Sequence, residues 1–206
     1  IKDVELFSLV ECFSDVGFSP VIGVVQPKGK LKKEVEIKSL LLEGTAVFNK
    51  DKLIGWLKPE ETRGLLFIQD EIQSGIINIT NPVERNKKIA FEIVHSKGKK
   101  EVKLKEGKLK FLIEVKATGR LGEQQGTGDL VTPTMIEKLE VKVAKVINNN
   151  IKEVVNLAQN NYQSDIFGFS KIVHRQHLDY CQQVKGKWDQ VFCKTPIEIK
   201  VDWETS

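Results

Sequence analysis

The sequence predicts an α+β protein: antiparallel sheets, a long amphipathic helix packed across the C-terminal sheet, and two subdomains, 1–82 and 83–206. Three observations carry the prediction. Residues 89–121 alternate apolar and polar side chains, the period of a half-buried strand. Residues 134–161 repeat apolar side chains at steps of three and four, the period of a helix with one buried stripe. Before residue 82, short apolar runs are set off by Gly, Pro, Asn and Asp, the punctuation of hairpins and tight turns.

The elements follow in order. DVELFSLVECF puts Val4, Phe7, Leu9 or Val10, and Phe13 on one helical stripe. PVIGVV reads as a short buried strand and PKGKLKK as a solvated turn. VEIKSLLLEGTAVF is long enough for an extended strand with an irregularity at Gly44. Asn49 and Asp51, between Val47-Phe48 and the run Leu53 to Leu57, predict a hairpin. In KPEETRG, Pro59 suits a first helical position, Glu60 and Glu61 its positive end, and Gly64 the residue past its last turn. A short helix over 59–63 is therefore expected, with LLFI after it as a strand.

GIINIT is a further strand, and NPVERNKK is the expected subdomain boundary. IAFEIVH, EVKLK and LKFLIEVKATGRL, separated by SKGK and EGK turns, predict an antiparallel meander with one wet, lysine-rich face. Past GEQQGTGD, Pro133 and a capping box of Thr134 with Glu137 open the long helix. Its stripe runs through Leu139, Val143, Ile147, Ile151 and Val154 to Ala158. Ser164 or Asp165 caps a second helix holding Phe167, Ile172 and Val173; a third carries Trp188, Val191 and Phe192; IEIKVDW returns to the sheet as a strand.

Composition narrows the function classes. An apolar share of 40% with 29% charged residues is globular composition. The net charge of +4 comes mainly from lysine, and the arginines Arg63, Arg85, Arg120 and Arg175 are scattered, so no nucleic-acid partner is expected. No apolar run approaches the roughly 18 residues of a membrane span. Starting at Ile1 without an initiator methionine, the chain is read as a piece of a longer protein. Cys12, Cys181 and Cys193 are odd in number and lack CxxC spacing; at most one pair can form, and the sequence does not choose it.

Candidate chemistry is sparse. His174, His177 and Cys181 stand at i, i+3 and i+7, which would offer three metal ligands on an unbroken helix, but no further ligand is placed to complete a shell. Asp51, Glu60 and Glu61 could be a carboxylate set for acid–base work, yet each already has a turn or cap role. No nucleophile elbow, phosphate loop, dinucleotide fingerprint or HExxH motif occurs. No catalytic residue, metal or cofactor is expected. Trp56 and Arg63 flank the hairpin and the short helix and are candidate partner contacts, against a core lid and a solvated helix end as the plainer alternatives.

One resemblance sharpens this picture. GTAVFNKDKLIGWLKPEETRGLL resembles the signature of the Ger(x)C family, the C-subunit lipoproteins of bacterial spore nutrient-germinant receptors, and DIFGFSKIVHRQHLDYCQQVKGKWDQVF followed by IEIKVDW resembles its second block. The similarity covers residues 43–206. The matching motif positions are Gly44, Ala46, Phe48, Leu53, Gly55, Leu57, Glu61, Thr62 and Gly64, then Asp165, Gly168, Trp188 and Phe192, most of them read as fold-defining. Leu178 stands where the family usually has proline, Cys181 where tryptophan is common, and Lys58 replaces a small polar cap.

The resemblance implies a non-catalytic subunit needed for nutrient-triggered germination. It would be held on the outer face of the spore inner membrane by a lipid anchor lying outside this fragment, beside the receptor's A and B membrane subunits. The alternative from another class is an extracytoplasmic module that binds the nutrient itself, which requires a concave pocket.

Overall fold

The computed structural model describes Lys2, Val4 and residues 17–28, 39–130, 132–184 and 186–206. The helical stripe expected before residue 14, apart from Val4, lies outside them, as do Cys12 and most of the PKGKLKK turn. In chain order the elements are β1 (Val21–Lys28), β2 (Ser39–Asn49), β3 (Lys52–Leu57), α1 (Pro59–Gln69), β4 (Gly75–Thr80), β5 (Lys88–Lys105), β6 (Lys108–Gln124) and α2 (Pro133–Asn156). A π-helical turn (Leu157–Tyr162) follows, then α3 (Phe169–Gln176), α4 (Leu178–Gln183), α5 (Trp188–Lys194) and β7 (Ile197–Thr205). The chain divides into two compact units, residues 1–63 with 154–195 and residues 64–153 with 196–206.

In the first unit β1, β2 and β3 form an antiparallel sheet in sequence order. The hairpin forms at Asn49 to Lys52, with Lys50 in the left-handed region at φ 54°. Gly44, at φ 82°, sits where the β1–β2 register slips between Gly23 and Val25, and the Leu57 carbonyl would meet any side chain placed there. Its buried side chains include Val21, Val47, Leu57, Ile166, Phe169, Val173, Trp188 and Phe167, whose ring centroid lies 6.2 Å from those of Phe169 and Phe192. Burying each of these large side chains contributes about 1.5–3 kcal/mol.

In the second unit the sheet order is β4-β5-β6-β7. Antiparallel pairing joins β4, β5 and β6, but β7 lies parallel to β6, an arrangement that needs the long intervening connection the chain supplies. β4 pairs with β5 across the NPVERNKK turn, so the unit boundaries do not follow a linear division at 82/83. Ile77, Ile79, Ile89, Phe91, Ile113, Val115, Ala117 and Trp203 are buried on the sheet, and the α2 stripe Leu139, Val143, Ile147 and Ile151 is buried with them. The opposite face is wet, with exposed Lys99, Lys110 and Lys200 paired to Glu101 and Glu198.

Four local expectations are corrected. LLFI is helical: α1 runs on to Gln69, and Leu65 to Ile68 are all buried, a situation in which an apolar run does not distinguish strand from helix. Gly64 lies inside α1, and the helix ends in a Schellman turn at Asp70 (φ 63°), with Glu71 N–H donating to the Leu66 carbonyl at 2.9 Å. SKGK is not a turn. β5 continues through it, and Gly98 is there because the Phe67 carbonyl approaches too closely for any side chain. Finally, α2 starts at Pro133, so the carbonyl of Thr132 receives the first helical N–H groups and Thr134 is already inside the helix.

Candidate interaction surfaces

Around the first motif block the backbone is held from several sides. Lys58 precedes α1 without a side-chain acceptor, and Glu61 fills that role by accepting from Lys58 N–H at 2.7 Å, the reciprocal half of a capping box. Thr62 is buried and shares a 3.0 Å hydrogen bond with Thr45. The ring of Tyr162 lies against Gly55, where any Cβ would collide, and its hydroxyl donates to the Trp56 carbonyl at 2.9 Å. The Trp56 backbone is thereby fixed while its side chain is 57% exposed. Of the two contact candidates, Trp56 is therefore a rigidly displayed apolar side chain and not a lid, and Arg63 is half-buried.

Leu53, across the hairpin, is exposed as well, Phe48 is half-buried, and Ala46 and Leu57 are buried. Val25, Leu40 and Leu42 are also exposed. They lie where β1 and β2 continue as a two-stranded ribbon, past the last β3 pairing of Leu57 with Thr45. Sequence reading missed this apolar ribbon because an alternating strand does not say whether a third strand or a helix will cover it.

The second motif block builds a buried knot. Asp165 has no exposure. Its Oδ1 accepts from Phe167 N–H at 3.2 Å and Gly168 N–H at 2.9 Å, and its Oδ2 from Ser170 N–H at 2.7 Å and the Trp188 indole N–H at 3.2 Å. Burial pushes its carboxyl up, against the downward pull of the Ser170, Phe169 and Phe167 N–H groups and the Trp188 indole. Gly168, at φ 80°, completes the turn into α3. The four motif residues Asp165, Gly168, Trp188 and Phe192 thus belong to one buried cluster.

The histidine–cysteine triplet does not share a helix face, because the helix breaks at His177 (φ −140°, ψ 62°) between α3 and α4. Among the described residues no group of three or more His, Cys, Asp or Glu could hold a metal. Cys181 and Cys193 are free thiols, and burial, then Asp189, push the Cys193 thiol up. Glu60 is exposed on α1, and Asp51 in the hairpin turn.

In the second unit an open groove of about 740 Å3 is lined by the C-terminal part of β7, the N-terminal half of α2 and the middle of β5 and β6. Its α2 wall is Glu137, Glu140, Val141 and Ala144, a single helical stripe, and Val141 is 69% exposed. The sequence carried one sign of it, a valine on the polar side of an otherwise amphipathic helix.

Comparison with known proteins gives these surfaces a context. Residues 43–205 match the family model described as Spore germination B3/GerAC like, C-terminal. Spore germination protein B3 of Bacillus subtilis (strain 168) is 30% identical over 196 residues, 93% of this chain and 49% of that protein. Spore germination protein YndF of the same organism is 25% identical over 161 residues, 77% of this chain and 40% of that protein. The crystal structure of the GerBC protein superposes with a TM-score of 0.75 at 29% identity, over 92% of this chain and 57% of that one. The chain spans about half the length of the curated relatives it matches.

Proposed function

The chain belongs to the Spore germination B3/GerAC-like family, and from that premise we propose that it is the C-terminal part of a germinant-receptor C subunit, a non-catalytic lipoprotein that acts by docking. It works on the outer face of the spore inner membrane, held by a lipid attached outside this fragment. It contributes an extracytoplasmic surface to the receptor's A and B membrane subunits, and nutrient-triggered germination needs that contact. Tethering raises the local concentration of the docking surface, so modest contacts suffice.

The observation that carries the reading is the pinned hairpin, in which Tyr162 and Gly55 hold the backbone while Trp56 projects into solvent. Rigid, exposed aromatic side chains are the usual anchors of interfaces. Arg63, one turn into α1, is the polar companion. The second-unit groove has the volume of a small-ligand site, but it is open and its walls carry charged side chains, which suits a polypeptide better than a nutrient.

The test is co-purification of the full-length protein with its A and B subunits, comparing wild type with Trp56→Ala plus Arg63→Ala. Loss of the complex with folding intact supports the hairpin as the docking surface. A complex retained in the variant moves the contact elsewhere, and a wild type that fails to co-purify overturns the docking reading.

A further inference from the structure

Among the described residues, no strand pairs with the outer edge of β7. Phe111 N–H donates to the Pro196 carbonyl and Ser206 N–H to the Gly119 carbonyl at the two ends of the β6–β7 pair. Even-numbered residues of β7 therefore turn their peptide groups toward β6, and the odd-numbered ones turn theirs outward. Thr205 shows what the outward groups seek: its N–H donates to Glu140 Oε1 at 2.7 Å, a side chain of α2 standing in for the carbonyl of a neighbouring strand. Among the described residues, the outward peptide groups of Ile199, Val201 and Trp203 meet no such partner. No proline or bulge interrupts this edge. Long open edges of that kind are templates for strand addition.

What lies beside the edge gives the partner's chemistry. The α2 stripe offers exposed Val141 and half-buried Ala144 at the helix side, with Glu137 one turn before Val141. Asp202 and Glu204 stand on the wet face of β7 itself. A strand laid along β7 would alternate between these two settings, apolar toward α2 and facing carboxylates on the other side. We infer that β7 accepts an extended segment of another polypeptide as a fifth strand, one that alternates apolar and basic residues, its backbone pairing with Ile199, Val201 and Trp203, its apolar side chains facing Val141 on α2 and its cations facing Asp202 and Glu204 on the opposite face. This is β-strand addition, in which main-chain bonds give affinity and alternate side chains give specificity. It rests on the docking reading above and gives that reading a second surface.

The test uses the full-length protein and two capped octapeptides, (Val-Lys)4 and (Val-Glu)4, with amide hydrogen exchange as the readout. The basic peptide is expected to slow exchange at Ile199, Val201 and Trp203, and the acidic one is not. Val201→Pro removes an outward N–H while leaving the inward bonds of β7 in place. Val141→Lys changes only an exposed side chain of α2 and puts a charge where the peptide's apolar side chains would lie. Each variant should weaken the basic peptide at least about ten-fold, equivalent to 1.4 kcal/mol.

Absence of protection in the wild type, equal protection by the acidic peptide, or undiminished protection in both folded variants would overturn the inference. So would protection of β7 that appears with protein concentration and no peptide, since the occupant would then be a second copy. Co-purification with the A and B subunits separates the two claims. A wild type that co-purifies but gives no peptide protection loses the edge inference alone. One that shows protection but does not co-purify loses the docking reading and keeps the strand-accepting edge.

Discussion

Replacing Asp165 with asparagine changes one atom of a side chain that receives four N–H groups in a site with no solvent. The amide oxygen can still accept from Phe167 and Gly168. The new NH2 then faces Ser170 N–H at 2.7 Å and the Trp188 indole at 3.2 Å, so two buried donors lose their acceptor and meet another donor. Each such loss costs about 1–3 kcal/mol. Against that, asparagine removes the cost of burying a carboxylate, the same effect that pushes the Asp165 carboxyl up. The balance is a loss of about 2–4 kcal/mol, a large share of the roughly 5–15 kcal/mol that holds a domain folded. Urea unfolding followed by tryptophan fluorescence reads it directly, because Trp188 is part of the knot. Asp51→Asn, in the exposed hairpin turn, is the control and should cost under about 0.5 kcal/mol. If Asp165→Asn proves as mild as the control, the knot does not hold α3 and α5 together.

Gly64→Val would drive a side chain into the Asn150 carbonyl and the Ile151 N–H, both backbone atoms that cannot swing away, and should lower stability by at least about 1–3 kcal/mol in chemical denaturation. Asp70 resists the upward effect of burial through its hydrogen bonds with Lys97 and Gly98 N–H, which hold its carboxyl below the ordinary value. Its contribution is therefore complete above the unfolded pKa and is lost as pH falls through the folded one. Since Lys97 is exposed, Asp70→Asn should cost only about 0.5–1 kcal/mol at neutral pH and flatten the fall in stability below about pH 4 in pH-dependent unfolding. Cys193, whose thiol is raised by burial and by Asp189, should alkylate more slowly at pH 7 than a free thiol of ordinary pKa, its rate still climbing above pH 9 when followed by mass spectrometry.

Much of the fold was legible in the sequence, for reasons tied to particular residues. The α2 stripe and, apart from the buried run Phe111 to Ile113, the β6 alternation are long and periodic, and periodicity is what side-chain burial imposes most directly. The hairpin was marked by the turn formers Asn49 and Asp51, although Lys50 between them takes the left-handed backbone, and the irregularity at Gly44 by a residue that tolerates it. Local chemistry failed where a distant approach overrode it. Gly98 is a turn residue by propensity, but the Phe67 carbonyl places it in a strand. Gly64 reads as a helix stop, but the Asn150 carbonyl makes it a packing glycine inside α1. The parallel placing of β7 was likewise invisible, since IEIKVDW alternates identically in either direction.

Of the surfaces, the motif blocks pointed to the residues that build the hairpin and the Asp165 knot, while the β7 edge had only Val141 to betray it. Edges and open ribbons are defined by which neighbours are missing, and a single strand's sequence does not carry that information.

The claim that matters most is that this surface meets the receptor's membrane subunits. The direct measurement is photo-crosslinking in intact spores from a photoreactive amino acid placed at position 56 of the full-length protein, with position 106 in the exposed β5–β6 turn as the comparison. Position 56 should give a covalent adduct with the A or B subunit that position 106 does not. No adduct with either subunit from position 56, in spores that still germinate on nutrient, would contradict the account.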